Sequence, residues 1–132
     1  MITKEELIKK IEVCNPCSGG LRWAKTKKTA KDILENVCKE WRAWALVRGI
    51  AEFEEYCDWE EFDTEDWSWL LKSQPQFINL CKCLDKFTAL DWRYLLKFQP
   101  QFIDKCDKLD KFTTYDWRCL LSYQPQLAKY RK

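Results

Sequence analysis

The string Asp66-Trp67-Ser68-Trp69-Leu70-Leu71-Lys72-Ser73-Gln74-Pro75-Gln76-Phe77 returns 25 residues later as Asp91-Trp92-Arg93-Tyr94-Leu95-Leu96-Lys97-Phe98-Gln99-Pro100-Gln101-Phe102. It returns again as Asp116-Trp117-Arg118-Cys119-Leu120-Leu121-Ser122-Tyr123-Gln124-Pro125-Gln126-Leu127. Phe62, Phe87 and Phe112 keep the same spacing ahead of each copy. Residues 57–81 and 82–106 share 12 identities in 25, and 82–106 and 107–131 share 13, where chance gives about one or two. A repeat this short cannot bury its apolar face alone, so successive copies must stack.

Each copy reads as two short helices. Asp63, Thr88 and Thr113 are N-cap residues, and Asp66, Asp91 and Asp116 follow three residues later, the spacing of a capping box. Phe62, Phe87 and Phe112 stand before the caps, and Trp67, Trp92 and Trp117 stand at N4, so each pair is a candidate hydrophobic staple. Trp and the Leu pair fall at i, i+3 and i+4, one helix face. Proline disfavours a helical residue before it, which ends the first helix near Ser73, Phe98 and Tyr123. The proline itself suits N1 of a second helix. Phe77, Cys81 and Leu84 supply that helix's apolar face, as do Phe102, Cys106 and Leu109, whereas the last copy is more polar, as suits the end of a stack.

Residues 1–56 do not repeat. Thr3 and Glu6 form a capping box ahead of Leu7, Ile8 and Ile11. Cys14-Asn15-Pro16-Cys17 is a turn, Gly19-Gly20 a break, and Leu21 to Lys25 a short helix. Thr29 caps a longer helix with the stripe Ile33, Leu34, Val37, Cys38, Trp41, Trp44 and Ala45, closed by Gly49. The expected architecture is all-α. An N-terminal helical cap (1–56) precedes three helix-pair repeats (57–81, 82–106 and 107–131) that fill 57–132 as a short solenoid and share one core with the cap.

Composition narrows the function. The 132 residues are 46% hydrophobic and 33% charged, which excludes a disordered chain. There is no His, which removes His-based triads, His general bases and His-ligated metals. No P-loop or dinucleotide fingerprint occurs, and residues kept in three stacked copies are architectural, since catalysis needs one site. The sequence therefore points away from an enzyme. No apolar run is long enough for a membrane span, and the acidic N-terminus lacks the apolar stretch of a signal peptide, which points to a cytoplasmic protein. Eight cysteines in such a chain are expected reduced, most of them in the core. Cys14-x-x-Cys17 is one half of a possible zinc site, with Cys38 and Cys57 as the nearest further ligands and Cys81-x-Cys83 as a looser pair. With no strand pattern around it, the Cys-x-x-Cys is not read as a redox motif, and no other cofactor is implied.

Three surfaces are candidates for partner binding. Residues 49–66 carry nine acids and no base, against 11 basic and 6 acidic residues in 1–48. Within the run, Glu52, Glu54, Glu55, Asp58, Glu60 and Glu61 form a candidate acidic face toward a basic partner, or a solvated turn whose acids sit at helix N-termini. The second candidate uses the positions where the copies differ. Glu65, Trp69 and Ser73 in the first, Leu90, Tyr94 and Phe98 in the second, and Tyr115, Cys119 and Tyr123 in the third share one helix face. Stacking sets Trp69, Tyr94, Phe98, Tyr115 and Tyr123 side by side as an aromatic stripe, which is an interface, a self-association surface giving a homodimer, or a second core face. The third candidate is the basic cluster Arg22, Lys25, Lys27, Lys28 and Lys31, which could touch phosphates, although a sequence pI near 8.1 is not that of a nucleic-acid-binding domain.

The pattern Phe…Asp-Trp…Leu-Leu…Gln-Pro-Gln-Phe…Cys over 57–131 resembles tandem repeats found in uncharacterised proteins of bacteria and phages. The stretch from Cys17 through Trp23, Cys38, Trp41 and Trp44 is similar to the opening of short phage proteins, with Lys39-Glu40-Trp41 standing where Gly-Asp-Trp is expected. The resemblance implies a mobile genetic element and carries no activity with it. Small phage proteins without catalytic motifs often inhibit host machinery, anti-CRISPR proteins among them. The expected function is therefore a non-enzymatic protein-binding module, an anti-CRISPR-like inhibitor that binds a protein or protein–RNA complex of the bacterial host. The alternatives are a bacterial scaffold or adaptor, or a zinc-stabilised regulator touching nucleic acid.

Overall fold

The computed structural model describes residues 2–131. Among them the regular structure is entirely helical, in two compact units that meet in the sequence between Phe62 and Asp63.

The first unit holds α1 (Lys4–Val13), α2 (Ser18–Lys25), α3 (Ala30–Asn36) and α4 (Lys39–Val47), then short 3₁₀ segments at Ala51–Glu54 and Trp59–Glu61. Thr3 caps α1 by accepting the Glu6 N–H at 3.1 Å, and Leu7, Ile8 and Ile11 turn inward as their spacing predicts. Thr29 caps α3 through the Asp32 N–H at 3.1 Å. The expected long helix is two helices. The chain turns extended at Val37 (ψ 144°) and Cys38 (ψ 160°) before α4 begins. The break puts Cys38 in solvent while Val37 stays buried, so the stripe is not continuous. Gly49, at φ 83°, follows the α4 C-cap residue Arg48, in the left-handed region that favours glycine.

The Gly19-Gly20 pair is not a break. Both residues lie in the first turn of α2, and Gly20 is there for space. A Cβ on it would fall 2.2 Å from Nε1 of Trp41 on α4, whereas one on Gly19 would meet nothing within 4 Å. The indole therefore lies directly against the α2 backbone.

The second unit holds α5 (Thr64–Ser73), α6 (Ala89–Phe98) and α7 (Thr114–Tyr123), one per repeat. All three open with the predicted capping box. The Asp63, Thr88 and Thr113 side chains accept the N–H of Asp66, Asp91 and Asp116 at 2.9, 3.2 and 3.1 Å. The three aspartates accept the cap N–H in return at 3.1, 3.0 and 2.9 Å. Trp67, Trp92, Leu70, Leu95, Leu71 and Leu96 are fully buried, and Trp117 and Leu120 nearly so. Phe87 packs on Trp92 and Phe112 on Trp117 with ring centroids 5.5 and 5.2 Å apart, which are the staples the sequence implies. Truncating such a core indole typically costs about 3–5 kcal/mol.

The second element of each repeat differs from expectation. From Pro75, Pro100 and Pro125 the chain forms 3₁₀ segments, Pro75–Leu80, Pro100–Lys105 and Pro125–Tyr130, with a further 3₁₀ turn at Leu84–Lys86 and Leu109–Lys111. A segment this short gains little from α-helical cooperativity, and the tighter form keeps Phe77, Phe102 and Leu127 buried.

The Gln-Pro-Gln string explains how the copies register. Gln99 donates from Nε2 to the Lys72 carbonyl, and Gln124 to the Lys97 carbonyl, each at 2.8 Å. The second glutamine of each string donates to the Oε1 of the first, Gln101 to Gln99 at 2.9 Å and Gln126 to Gln124 at 2.7 Å. One glutamine therefore clamps its repeat onto the last turn of the helix before it, and the other fixes the orientation of the clamping amide. Arg93 adds a second tie from α6 to α7, with Nη1 2.8 Å from Asp116 Oδ1 and both side chains only 14% exposed.

Candidate functional site

The five predicted stripe residues lie on α5, α6 and α7 and are solvent-exposed. Trp69, Tyr94, Phe98, Tyr115 and Tyr123 are 43–62% exposed, and Leu90 joins them at 49%. They are not a second core face. Trp67, Leu70 and Leu71 direct the buried side of α5 inward, and a helix with that side buried must present Trp69 on the other. The same logic repeats on α6 and α7.

Three cations that the sequence reading passed over are interleaved with the rings. Lys72 Nζ lies 4.0 Å from the Trp69 ring centroid, and 5.7 and 5.4 Å from those of Tyr94 and Phe98 on the next helix. Lys97 Nζ repeats the arrangement, 5.2 Å from Phe98 and 3.9 Å from Tyr123. Arg93 Cζ lies 5.1 Å from Tyr94 and 5.4 Å from Tyr115 while holding Asp116. These are cation–π distances. Each cation bridges neighbouring repeats, so the stripe is a ladder of alternating rings and charges. Burial lowers the Lys72 ammonium pKa, and the nearby Lys97 charge lowers it further. The available signal was that Lys72 and Lys97 recur at one repeat position, a turn after Trp69 and Tyr94. A hollow of about 440 Å³ between α5 and α6 is lined by Trp69, Lys72, Leu90 and Tyr94, with Glu65 and Asp91 also on its wall.

The acidic run is less available. Glu52 is half-buried and bonded to Lys10; burial pushes its carboxyl up, but the Lys10 bond, a backbone hydrogen bond and the Lys10 charge together hold it below the usual range. Asp58 caps the Trp59–Glu61 segment by accepting the Glu60 N–H at 3.1 Å. Asp63 and Asp66 are the capping box of α5. Glu54 is half-buried, and Glu55, Glu60 and Glu61 are exposed. Several of these acids thus serve local structure, as carboxylates at helix N-termini do.

The basic cluster of the first unit is partly occupied as well. Lys25 is 3.6 Å from Glu12, Lys31 is 3.7 Å from Glu35, and Lys27 lies 4.9 Å from the Trp23 ring centroid. Arg22 and Lys28 are exposed.

The cysteines depart from expectation. Cys81 alone of the eight is buried; Cys17 and Cys38 are exposed and the other five half-buried. Cys17 caps α2, its sulfur accepting the Gly20 N–H at 3.3 Å, and Cys38 occupies the N-cap position of α4. Among the described residues no three His, Cys, Asp or Glu side chains come together to hold a metal ion, so Cys14, Cys17, Cys38 and Cys57 do not form the zinc site their spacing allowed. The Cys81 and Cys83 sulfurs are 3.7 Å apart as free thiols. Also among the described residues, no helix is long and apolar enough to cross a membrane.

No protein-family model, curated protein or solved structure matches this chain.

Proposed function

We propose that this chain is a non-enzymatic protein-binding module that docks through the exposed face of α5, α6 and α7. The observation that carries this reading is concentration. Of the eight exposed large apolar residues among the described residues, six (Trp69, Leu90, Tyr94, Phe98, Tyr115 and Tyr123) lie on that face. A contiguous aromatic patch with interleaved cations is the composition of interface hot spots. The glutamine clamps hold the rings in place before a partner arrives, which lowers the ordering cost of binding.

The partner is a protein or protein–RNA complex of a bacterial host, and the module blocks it by occupying its surface, as an inhibitor of the anti-CRISPR kind carried by phages and mobile elements. The likeness of the repeat string to bacterial and phage repeats supports this context. The test is protection in cells. The chain is expressed in strains that each carry one active CRISPR system, which are then challenged with a targeted phage. Restored plaquing with one system, lost in the Trp69→Ala/Tyr94→Ala/Tyr123→Ala variant, is the expected result. No protection with any system would overturn the inhibitor reading and leave a scaffold or adaptor.

A further inference from the structure

We infer that the occupant of this face is an acidic segment of the partner protein, with carboxylates one repeat apart reaching Lys72 and Lys97 and an apolar side chain filling the hollow beside Trp69 and Leu90. The inference rests on the docking reading above and names the chemistry of what docks.

Charge complementarity carries it. Arg93 is neutralised by Asp116, but neither Lys72 nor Lys97 has a carboxylate partner among the described residues. The two ammonium groups are half-buried among rings and close enough to repel, which depresses the Lys72 pKa. Aromatic faces replace part of the lost water but leave the net charge uncompensated. An anion at each ammonium removes both the repulsion and the deficit. The clamps of Gln99 and Gln124 attach to the main chain of these same two residues, so the spacing between the two lysine backbones is set by the fold.

A peptide fits better than a nucleic-acid strand. A strand places phosphates continuously along its path, whereas this face offers two unpaired cations and sets Glu65 and Asp91 in the hollow between α5 and α6. Those carboxylates share the hollow with Lys72 and disfavour a run of phosphates there, so the segment that fits carries isolated carboxylates, with an apolar side chain beside Trp69 and Leu90.

The test selects a display library of random dodecapeptides on the full-length chain and measures the winners against variants by fluorescence anisotropy. Expected are peptides enriched in Asp and Glu beside Trp, Phe or Leu, bound about tenfold more weakly by Lys72→Gln/Lys97→Gln. Thermal melts confirm that the variants are folded, and Lys72→Arg/Lys97→Arg should retain binding. Winners that need Trp69 and Tyr123 but carry no acids would overturn this inference alone. Winners indifferent to Trp69 and Tyr123, or no enrichment, would overturn the docking face as well. Tighter binding of an oligouridylate than of any peptide, lost in the same lysine variant, would replace the peptide with RNA.

Discussion

Lys72 is held by its main chain and used by its side chain. Its carbonyl accepts the Gln99 Nε2–H at 2.8 Å, while its ammonium lies 4.0 Å from the Trp69 ring centroid and within 5.7 Å of Tyr94 on the next helix. Lys97 stands in the same relation to Gln124 and Tyr123. The bond that registers one repeat on the next therefore also positions a rung of the exposed ladder, and disturbing the clamp disturbs the face.

The clamps have a measurable worth. Gln99→Ala and Gln124→Ala each remove a bond to a part-buried carbonyl and should lower urea-unfolding stability by about 1–2 kcal/mol. Gln101→Ala and Gln126→Ala remove only the orienting bond and should cost less. Equal losses at both positions of the string would show that the first glutamine has no special role.

The two glycines of α2 should respond with opposite signs. Gly19→Ala adds a methyl in open space within a helix and should stabilise by about 0.5–1 kcal/mol. Gly20→Ala drives a methyl into the Trp41 ring and should destabilise by about 1–3 kcal/mol, less the same propensity gain. Thermal melts of the two variants side by side decide it, and a stabilised Gly20→Ala would mean that Trp41 does not lie on α2.

Asp116 ties part of the stability to pH. Bonds from the Thr113 backbone and side chain, then Arg93, hold its carboxyl below the usual range despite burial. A carboxyl with a depressed folded-state pKa contributes stability above its unfolded pKa of about 3.9 and loses it as pH falls through the folded-state value. Asp116→Asn keeps an oxygen for the cap but loses the charge. It should cost about 1 kcal/mol at neutral pH and flatten the decline in stability toward pH 3. A decline parallel to that of the parent would refute the coupling.

The cysteines should label in a defined order. The Cys17 thiol is exposed, and its pKa is lowered first by the Trp41 side chain and then by the Gly20 backbone. Burial pushes Cys57 and Cys106 up to about 11 and Cys81 up to about 12. In the native protein at pH 7.5, iodoacetamide followed by peptide mass mapping should find Cys17 modified well before those three. Labelling of Cys81 first would contradict the packing of the first repeat.

How much of this was legible in the sequence follows from the kind of signal each residue carried. Asp66, Trp67, Leu70 and Gln74 recur with a fixed period, so the capping boxes, the buried face and the stacking could be read directly. Pro75 marked a new segment, but residue identity does not separate a short α-helix from a 3₁₀ helix, because both bury Phe77. The extended backbone at Val37 and Cys38 interrupts a sequence with unbroken helical spacing, and no proline or glycine announces it. Gly20 reads as part of a break because its partner Trp41 is distant in sequence. On the exposed face of α5, α6 and α7 the rings stand out by their spacing. Lys72 and Lys97 do not, since a surface lysine looks alike whether solvated or set between two aromatic rings.

The most direct test of the account is a footprint. The chain is purified with a nuclease complex whose immunity it blocks in the plaque assay proposed above, and hydroxyl-radical and carboxyl labelling are compared between the free and bound chain. The account predicts that Trp69, Tyr94, Phe98, Tyr115 and Tyr123 become protected on binding while Glu55, Glu60 and Glu61 stay as reactive as before. Protection of those acids with the rings still open would contradict it and place the docking surface on the acidic run.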